Sequence, residues 1–371
     1  MSMQPPSELS NISPPIHTTH RNDRTLLTLI IQLLCRLFRP LLNRPTHTTA
    51  TQIHGSPPLR PHKNILKACI VTSRLISTIY IYDIHPHINP PNAPETVKGP
   101  SEDPNAKPNS PTLNPKKRLY YIPGSSWQSP PSPHHWKLLA SLSHSLYPSI
   151  SVSLISAPLA PRNPAPVAFP MLMGMYRELL EEAHKSGESI ILAGDSSGAT
   201  LALGVVLETL RMDEEALRES RLAEESREDR SWGGIACAKE VILISPSVDL
   251  TRSNPSICSV AHLDPFLTPA VIQSTAETWY AGLDPVDPRI SPLFADISLL
   301  RKAGVKIHGV IGGYDILTPD SRLFKEKCTE EGVVGKWLEW ERQMHCFPLT
   351  GVYGVREGRE SVRWIVDVLK G

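Results

Sequence analysis

Three residues in this chain are spaced so that one could attack a carbonyl, one take its proton and one hold the proton acceptor. The first is Ser196 in Gly194-Asp195-Ser196-Ser197-Gly198, set between the apolar run Ile190-Ile191-Leu192-Ala193 and the small-residue run that opens with Ala199. Buried strand, sharp turn and buried helix is the context a nucleophile elbow requires. Small neighbours let strand and helix approach closely and let the serine sit on a strained turn with its hydroxyl exposed. Serine is a weak nucleophile unless a base, itself held by an acid, removes its proton. In such a sheet the partners follow in the order serine, acid, histidine, each just beyond a strand end. Asp315 follows the apolar run ending at Ile311, and His345 follows the one ending near Glu341.

Rivals exist for both partners. Asp249, just past Val241-Ile242-Leu243-Ile244, is the serious competitor for the acid, whereas Asp320, after Thr318-Pro319, reads as a helix cap. His308 lies inside a strand and reads as a core histidine. His134 and His135 open a helix near the expected mouth, where surface placement is the default, and His184 and His262 have no strand-end context. An oxyanion hole needs backbone donors. The amide of Ser197 is one candidate; Pro123-Gly124-Ser125-Ser126-Trp127, after the third strand, offers the amides of Ser125 and Ser126. Serine tolerates positive φ less well than glycine, so a plain strand-to-helix turn remains open for that segment.

These residues need a sheet to carry them. Apolar runs at 119–122, 152–155, 188–193, 240–245, 305–311 and 337–341 alternate with helical stretches at 133–146, 167–184, 199–207, 320–331 and 355–369. That alternation predicts a mostly parallel sheet covered by helices on both faces. A hairpin is expected over 69–83, and the Pro-, Asn- and Ser-rich 85–117 reads as a surface loop or linker. Residues 1–24 are polar and proline-rich and are expected to be disordered. The segment 211–230 is almost wholly charged and reads as a solvated helix or insertion. Three parts follow: 1–45, 46–117, and a catalytic domain over 118–371 with cap elements at about 251–290.

The bulk numbers exclude some functions. With 371 residues and 40% hydrophobic content the chain can bury a large core, and a net charge of +1 lacks the basic surplus of a nucleic-acid binder. The 6 cysteines are scattered, without metal-ligand spacing, and read as buried thiols. Leu26 to Leu42 is apolar with basic flanks. As a helix it would span roughly 25 Å, short of the ~30 Å bilayer core, and Arg36, Arg39 and Pro40 interrupt it. It is expected to associate with a membrane, as a short anchor or as an amphipathic helix lying on the surface, to close over the site as a lid, or both.

Taken together, the pattern resembles the α/β-hydrolase superfamily, in its hormone-sensitive-lipase-like branch of esterases and arylacetamide or steryl acetyl deacetylases of fungal type. The resemblance covers 119–369. It rests on Gly194 to Gly198, Pro158 to Pro161, Ser245 to Asp249, Asp264-Pro265, Gly313-Tyr314-Asp315 and Met344-His345-Cys346-Phe347-Pro348. One departure stands out: the family's His-Gly-Gly-Gly is here Pro123-Gly124-Ser125-Ser126. The resemblance implies a Ser196–Asp315–His345 triad, with no metal or organic cofactor, hydrolysing a short-acyl ester of a hydrophobic alcohol or secondary metabolite. Trp127, Phe266, Trp279 and Tyr280 are expected near the mouth. Two alternatives stay open, an acyl transferase or cyclase and a binding protein on the same fold. Location is expected at a membrane, with the endoplasmic reticulum as the candidate, or else in the cytoplasm.

Overall fold

The alternation of apolar runs and helical stretches becomes a layered α/β architecture in a computed structural model, which describes residues 15–42, 53–87, 117–223 and 237–371. Strand β1 (Ile16–Arg21) and helix α1 (Leu26–Leu42) come first, then α2 (Lys63–Ala68) and the hairpin β2 (Cys69–Ile76) and β3 (Ile79–Pro86). After β4 (Lys117–Ile122) come α3 (Pro133–Leu146), β5 (Ile150–Ile155), α4 (Ala165–Ser186), β6 (Ser189–Asp195) and α5 (Ser197–Ala223). The chain continues through β7 (Glu240–Ile244), α6 (Ser256–Ala261), α7 (Pro269–Tyr280) and α8 (Ser298–Lys302). It closes with β8 (Lys306–Tyr314), α9 (Thr318–Glu330), β9 (Gly335–Met344) and α10 (Arg356–Lys370).

Among the described residues the strands form one sheet in the order β1-β9-β8-β7-β6-β4-β5-β3-β2. The β2–β3 and β3–β5 pairs are antiparallel and the rest parallel. Strand periodicity divides the core between the two faces. Ile190 and Leu192 of β6 enter one cluster with α4 and α5, while Ile191 and Ala193 enter the other with α3 and α10. Burial on both faces explains why the inner strands read as continuous apolar runs rather than alternating ones.

The amino-terminal expectation needs correction at β1. Residues 16–21, read as disordered, pair in parallel with β9, Ile16 opposite Gly335 through Arg21 opposite Trp340. Only Ile16 is buried there, so backbone bonding and the Arg21 guanidinium, 4.0 Å from the centre of the Trp340 ring, hold the strand rather than an apolar stripe. The expected 85–117 linker lies almost wholly outside the described residues, as do 224–230 of the charged segment. Its part 211–223 extends α5. The cap expected at about 251–290 contains α6 and α7. Around them, Ile257, Leu267 and Ile272 form a small cluster with Ile316 and Leu317 from the loop beyond β8.

Helix α1 is amphipathic in the reverse sense. Its polar Thr28 and Gln32 point inward and are buried. Leu26, Leu27, Ile30, Leu33, Leu34, Leu37, Phe38 and Leu41 point outward, with Leu26 71% and Leu37 70% exposed. The inward face is fastened by hydrogen bonds. Thr25 Oγ1 and Thr28 Oγ1 donate to Glu357 at 2.9 and 2.8 Å, and the Thr25 amide donates to the same carboxylate. Gln32 Nε2 donates to the Arg342 carbonyl at 2.9 Å, and Arg36 to the Leu263 carbonyl at 2.8 Å. Among the described residues no helix is long and apolar enough to cross a membrane.

Candidate active site

Glycine makes the turn around Ser196 feasible. A Cβ on Gly198 would run into the Ile122 carbonyl, and one on Gly194 would lie 2.7 Å from the Ala199 nitrogen, so β6, β4 and α5 meet backbone to backbone. The reward of that close approach is a serine held at φ 50°, in the left-handed region that non-glycine residues avoid. Its amide is anchored on the Ile244 carbonyl of β7 at 2.8 Å.

Asp315 follows the last residue of β8 and its side chain is fully buried. Leu317 donates a backbone bond to its Oδ1 at 2.9 Å, which turns Oδ2 toward the loop after β9. There His345 Nδ1 lies 2.9 Å away. An ionised carboxylate can only accept, so Nδ1 carries the proton and Nε2 is left as the acceptor. Burial pushes the His345 imidazole toward neutrality, but the Asp315 charge outweighs it and raises its pKa well above the ordinary histidine value. Ser196 and His345 both line one cavity of about 560 Å³. Ile31 and Cys35 of α1, Phe266 and Leu267 between α6 and α7, and Leu349 and Tyr353 after His345 supply its apolar wall. Phe266 lies parallel to the His345 ring with centroids 6.5 Å apart. A cavity of about 700 Å³ between α3 and α10, with Lys137 and Arg363 at its edge, contains none of these chemical groups.

The segment Pro123 to Trp127 faces the elbow, but its donors are distributed differently from the sequence expectation. The Ser125 amide, read as an oxyanion donor, is taken by Ser197 Oγ at 3.1 Å, and the Trp127 amide reaches the same hydroxyl at 3.2 Å. Within the described residues the Ser126 amide donates no hydrogen bond. Ser126 and Trp127 both have positive φ, 55° and 58°. Each such residue costs on the order of 1 kcal/mol, which the surrounding contacts must offset.

The structure moves several other residues from where the sequence put them. His135 is not on the surface: it is buried, with Nε2 3.2 Å from Asp195 Oδ2. The other oxygen of Asp195 accepts from Tyr121 Oη at 2.8 Å and from the Gly124 amide at 2.9 Å. Burial pushes the Asp195 carboxyl up, yet His135 and these donors hold it below the usual aspartate value. His134 lines the cavity beside Tyr353. Trp127 and Trp279 are buried and stacked on each other at 5.6 Å instead of rimming the mouth. Tyr280 packs, half-buried, against the core, leaving Phe266 as the expected aromatic that lines the cavity.

Asp249 accepts from the Thr251 amide at 2.8 Å in a local turn and does not contact His345. Asp320 sits inside the first turn of α9 rather than capping it, and bonds Asn254 at 2.8 Å. His308 Nδ1 accepts from the Lys336 amide at 3.0 Å within the sheet. Asp264, known from sequence only as part of a motif, is fully buried and accepts from the amides of Phe266, Leu267 and Ile316 at 2.7, 2.8 and 3.0 Å. It ties the segment between α6 and α7 to the loop after β8. Burial, with the nearby Asp315 charge, pushes its pKa up to about 6.

Comparison with known proteins adds to this geometry. An esterase of Acinetobacter venetianus is 30% identical over 202 residues, which is 52% of this chain and 58% of that protein's length. An acetyl-hydrolase of Streptomyces hygroscopicus is 25% identical over 229 residues, 62% of this chain and 67% of that protein. A crystal structure of a hormone-sensitive lipase from a metagenome library superposes with TM-score 0.65 at 21% identity, covering 94% of this chain and 98% of the other. An esterase/lipase from an uncultured bacterium gives TM-score 0.65 at 18% identity with the same coverage, a likeness of fold. Residues 119–349 match the model of a family described as alpha/beta hydrolase fold, and the chain belongs to that family.

Proposed function

We propose that this protein is a serine carboxylic-ester hydrolase in which Ser196, His345 and Asp315 act as nucleophile, base and orienting acid. The observation that carries the reading is the His345–Asp315 hydrogen bond at 2.9 Å beside a serine at the tip of a strained elbow, Ser196 and His345 lining one cavity. His345 Nε2 takes the Ser196 proton as the oxygen attacks the ester carbonyl. The amides of Ser126 and Ser197 receive the developing oxyanion, and Asp315 stabilises the imidazolium. His345 then returns the proton to the leaving alcohol, and water releases the acyl group by the same route.

The substrate class is a short-acyl ester, above all an acetate, of a hydrophobic alcohol. The apolar wall of the cavity and the similarity to an acetyl-hydrolase support it, in keeping with the deacetylase branch that the sequence resembles. Residues 118–371 make the catalytic domain, and α1, whose Ile31 and Cys35 contribute to the cavity wall, is its lid. The outward apolar face of α1 supports a second reading, attachment to a lipid surface at the cavity mouth. Full-length protein should sediment with phosphatidylcholine vesicles, and a variant lacking residues 1–45 should not; a full-length protein that stays in the supernatant refutes attachment.

The test is turnover of p-nitrophenyl acetate by the wild type beside Ser196→Ala, His345→Ala, Asp315→Ala and Asp249→Ala, with fluorophosphonate labelling in parallel. Activity and labelling should vanish at Ser196 and fall steeply at His345 and Asp315, while Asp249→Ala stays within a few-fold of wild type. Unlabelled, inactive wild type would favour a binding protein. Acyl transfer to added alcohol outpacing hydrolysis would favour a transferase.

A further inference from the structure

The segment facing the elbow must present its amides to a developing charge, yet two of its residues are held in a strained backbone conformation. Serines and a tryptophan occupy the positions after Gly124, and two of them stand at positive φ. Two groups on the elbow itself counteract this. Asp195, the residue before the nucleophile, takes the Gly124 amide at 2.9 Å, and Ser197, the residue after it, takes the Ser125 and Trp127 amides through its hydroxyl. Asp195 is braced in turn. Tyr121 donates to the Asp195 oxygen that receives Gly124, and His135 faces the other.

The tautomer of His135 follows from its second nitrogen. The Ser132 amide donates to His135 Nδ1 at 3.0 Å, and an amide can only donate. Nδ1 is therefore an acceptor, and the ring proton sits on Nε2, aimed at Asp195. Helix α3, which carries His135, thus reaches across to the carboxylate that holds Gly124. Space is tight there as well: a Cβ on Gly124 would sit 2.7 Å from Asp195 Oδ2 and 2.8 Å from Ser196 Cβ.

We propose that the Ser197 hydroxyl and the His135–Asp195 pair form a two-point clamp that positions the Pro123–Trp127 loop for oxyanion binding, its side-chain bonds offsetting the strain of the two residues at positive φ. The proposal rests on the ester-hydrolase reading and assigns positioning residues, not groups that touch the substrate. Ser197 contributes twice, its amide to the oxyanion and its hydroxyl to the loop, and the two can be separated because alanine keeps the amide.

The decisive variant is Ser197→Ala, measured on p-nitrophenyl acetate and by inhibition with an aryl trifluoromethyl ketone, whose adduct with the nucleophile carries an oxyanion. The clamp predicts a fall in kcat on the order of tenfold or more, KM within about twofold, and weakening of the ketone in step with kcat. That is less than the hundredfold or more expected when a donor itself is lost. Ser197→Thr, which restores a hydroxyl, should recover much of the loss. His135→Leu should repeat the pattern and His135→Gln, which keeps an N–H donor, should be milder. If His135→Leu does not fold, Tyr121→Phe probes the same carboxylate with little change in volume and should lower kcat severalfold. A Ser197→Ala enzyme with wild-type kcat, or one whose loss lies in KM, overturns the clamp. Full turnover by Ser196→Ala would instead refute the hydrolase reading.

Discussion

Consider Glu357→Ala, which removes the carboxylate that fastens the start of α1. In the wild type Glu357 is buried at the first turn of α10 and accepts from the Thr25 amide, from Thr25 Oγ1 at 2.9 Å and from Thr28 Oγ1 at 2.8 Å. A hydrogen bond to a charged group contributes about 1.5 kcal/mol at the low end, so the two hydroxyl bonds together come to about 3 kcal/mol. Since 1.4 kcal/mol is tenfold, opening of α1 should rise on the order of a hundredfold. Gln32 and the apolar contacts of Ile31 and Cys35 would remain, so the helix loosens while the fold persists. Hydrogen–deuterium exchange read by mass spectrometry should therefore accelerate in peptides from 25–42 and stay unchanged in β6, β7 and β8. Thr28→Val, which deletes one bond, should give on the order of tenfold.

Acid should mimic the mutation. Burial pushes Glu357 up, but the hydrogen bonds from Thr25 and Thr28 outweigh it and hold its pKa below the ordinary glutamate value. A lowered carboxyl stabilises its partners at pH above its unfolded pKa, and that contribution disappears as pH falls through the folded pKa. Unchanged α1 exchange in Glu357→Ala, or equal acceleration in the central strands, would refute the anchoring argument.

Other outcomes follow from the site. Protonated His345 cannot accept the Ser196 proton, and its pKa is raised by Asp315. The acid limb of kcat/KM should therefore lie at higher pH than an ordinary histidine would give; Asp315→Asn should move that limb to lower pH and cut kcat by on the order of a thousandfold or more. A limb that stays in place in Asp315→Asn would remove Asp315 from the role. Gly198→Ala forces a methyl into the Ile122 carbonyl. Overpacking of a backbone contact should cost at least about 1–3 kcal/mol and abolish labelling of Ser196, which thermal unfolding and fluorophosphonate reaction would measure. A Gly198→Ala protein with wild-type labelling would show that the elbow has room to move.

Chain order made most of the architecture legible. Strands buried on both faces produce long apolar runs, and β4, β6, β7 and β8 all announced themselves this way, as did the elbow between β6 and α5. Asp315 and His345 could be named because each stands just past such a run. β1 was illegible for the converse reason. A strand with Ile16 alone buried has no apolar period, and its partner β9 lies more than three hundred residues along the chain.

His135 was misplaced by a related effect. Its position at the start of α3 reads as surface, and only the fold brings that helix end within 3.2 Å of the aspartate beside Ser196. Sequence marks the residues that meet through adjacent strands of one sheet, because strand order is predictable. It does not mark residues that meet because a helix end happens to face a loop. The groups around the Pro123–Trp127 loop, Tyr121, His135, Asp195 and Ser197, are of the second kind, drawn from β4, α3, β6 and α5. None of them carries a spacing that points to another, although Asp195 and Ser197 flank Ser196 itself. Their shared function rests on geometry alone: three backbone amides of one loop, at Gly124, Ser125 and Trp127, are held by side chains on either side of Ser196. A loop held that way needs fewer glycines, because hydrogen bonds to its amides can offset the strain of positive φ at Ser126 and Trp127.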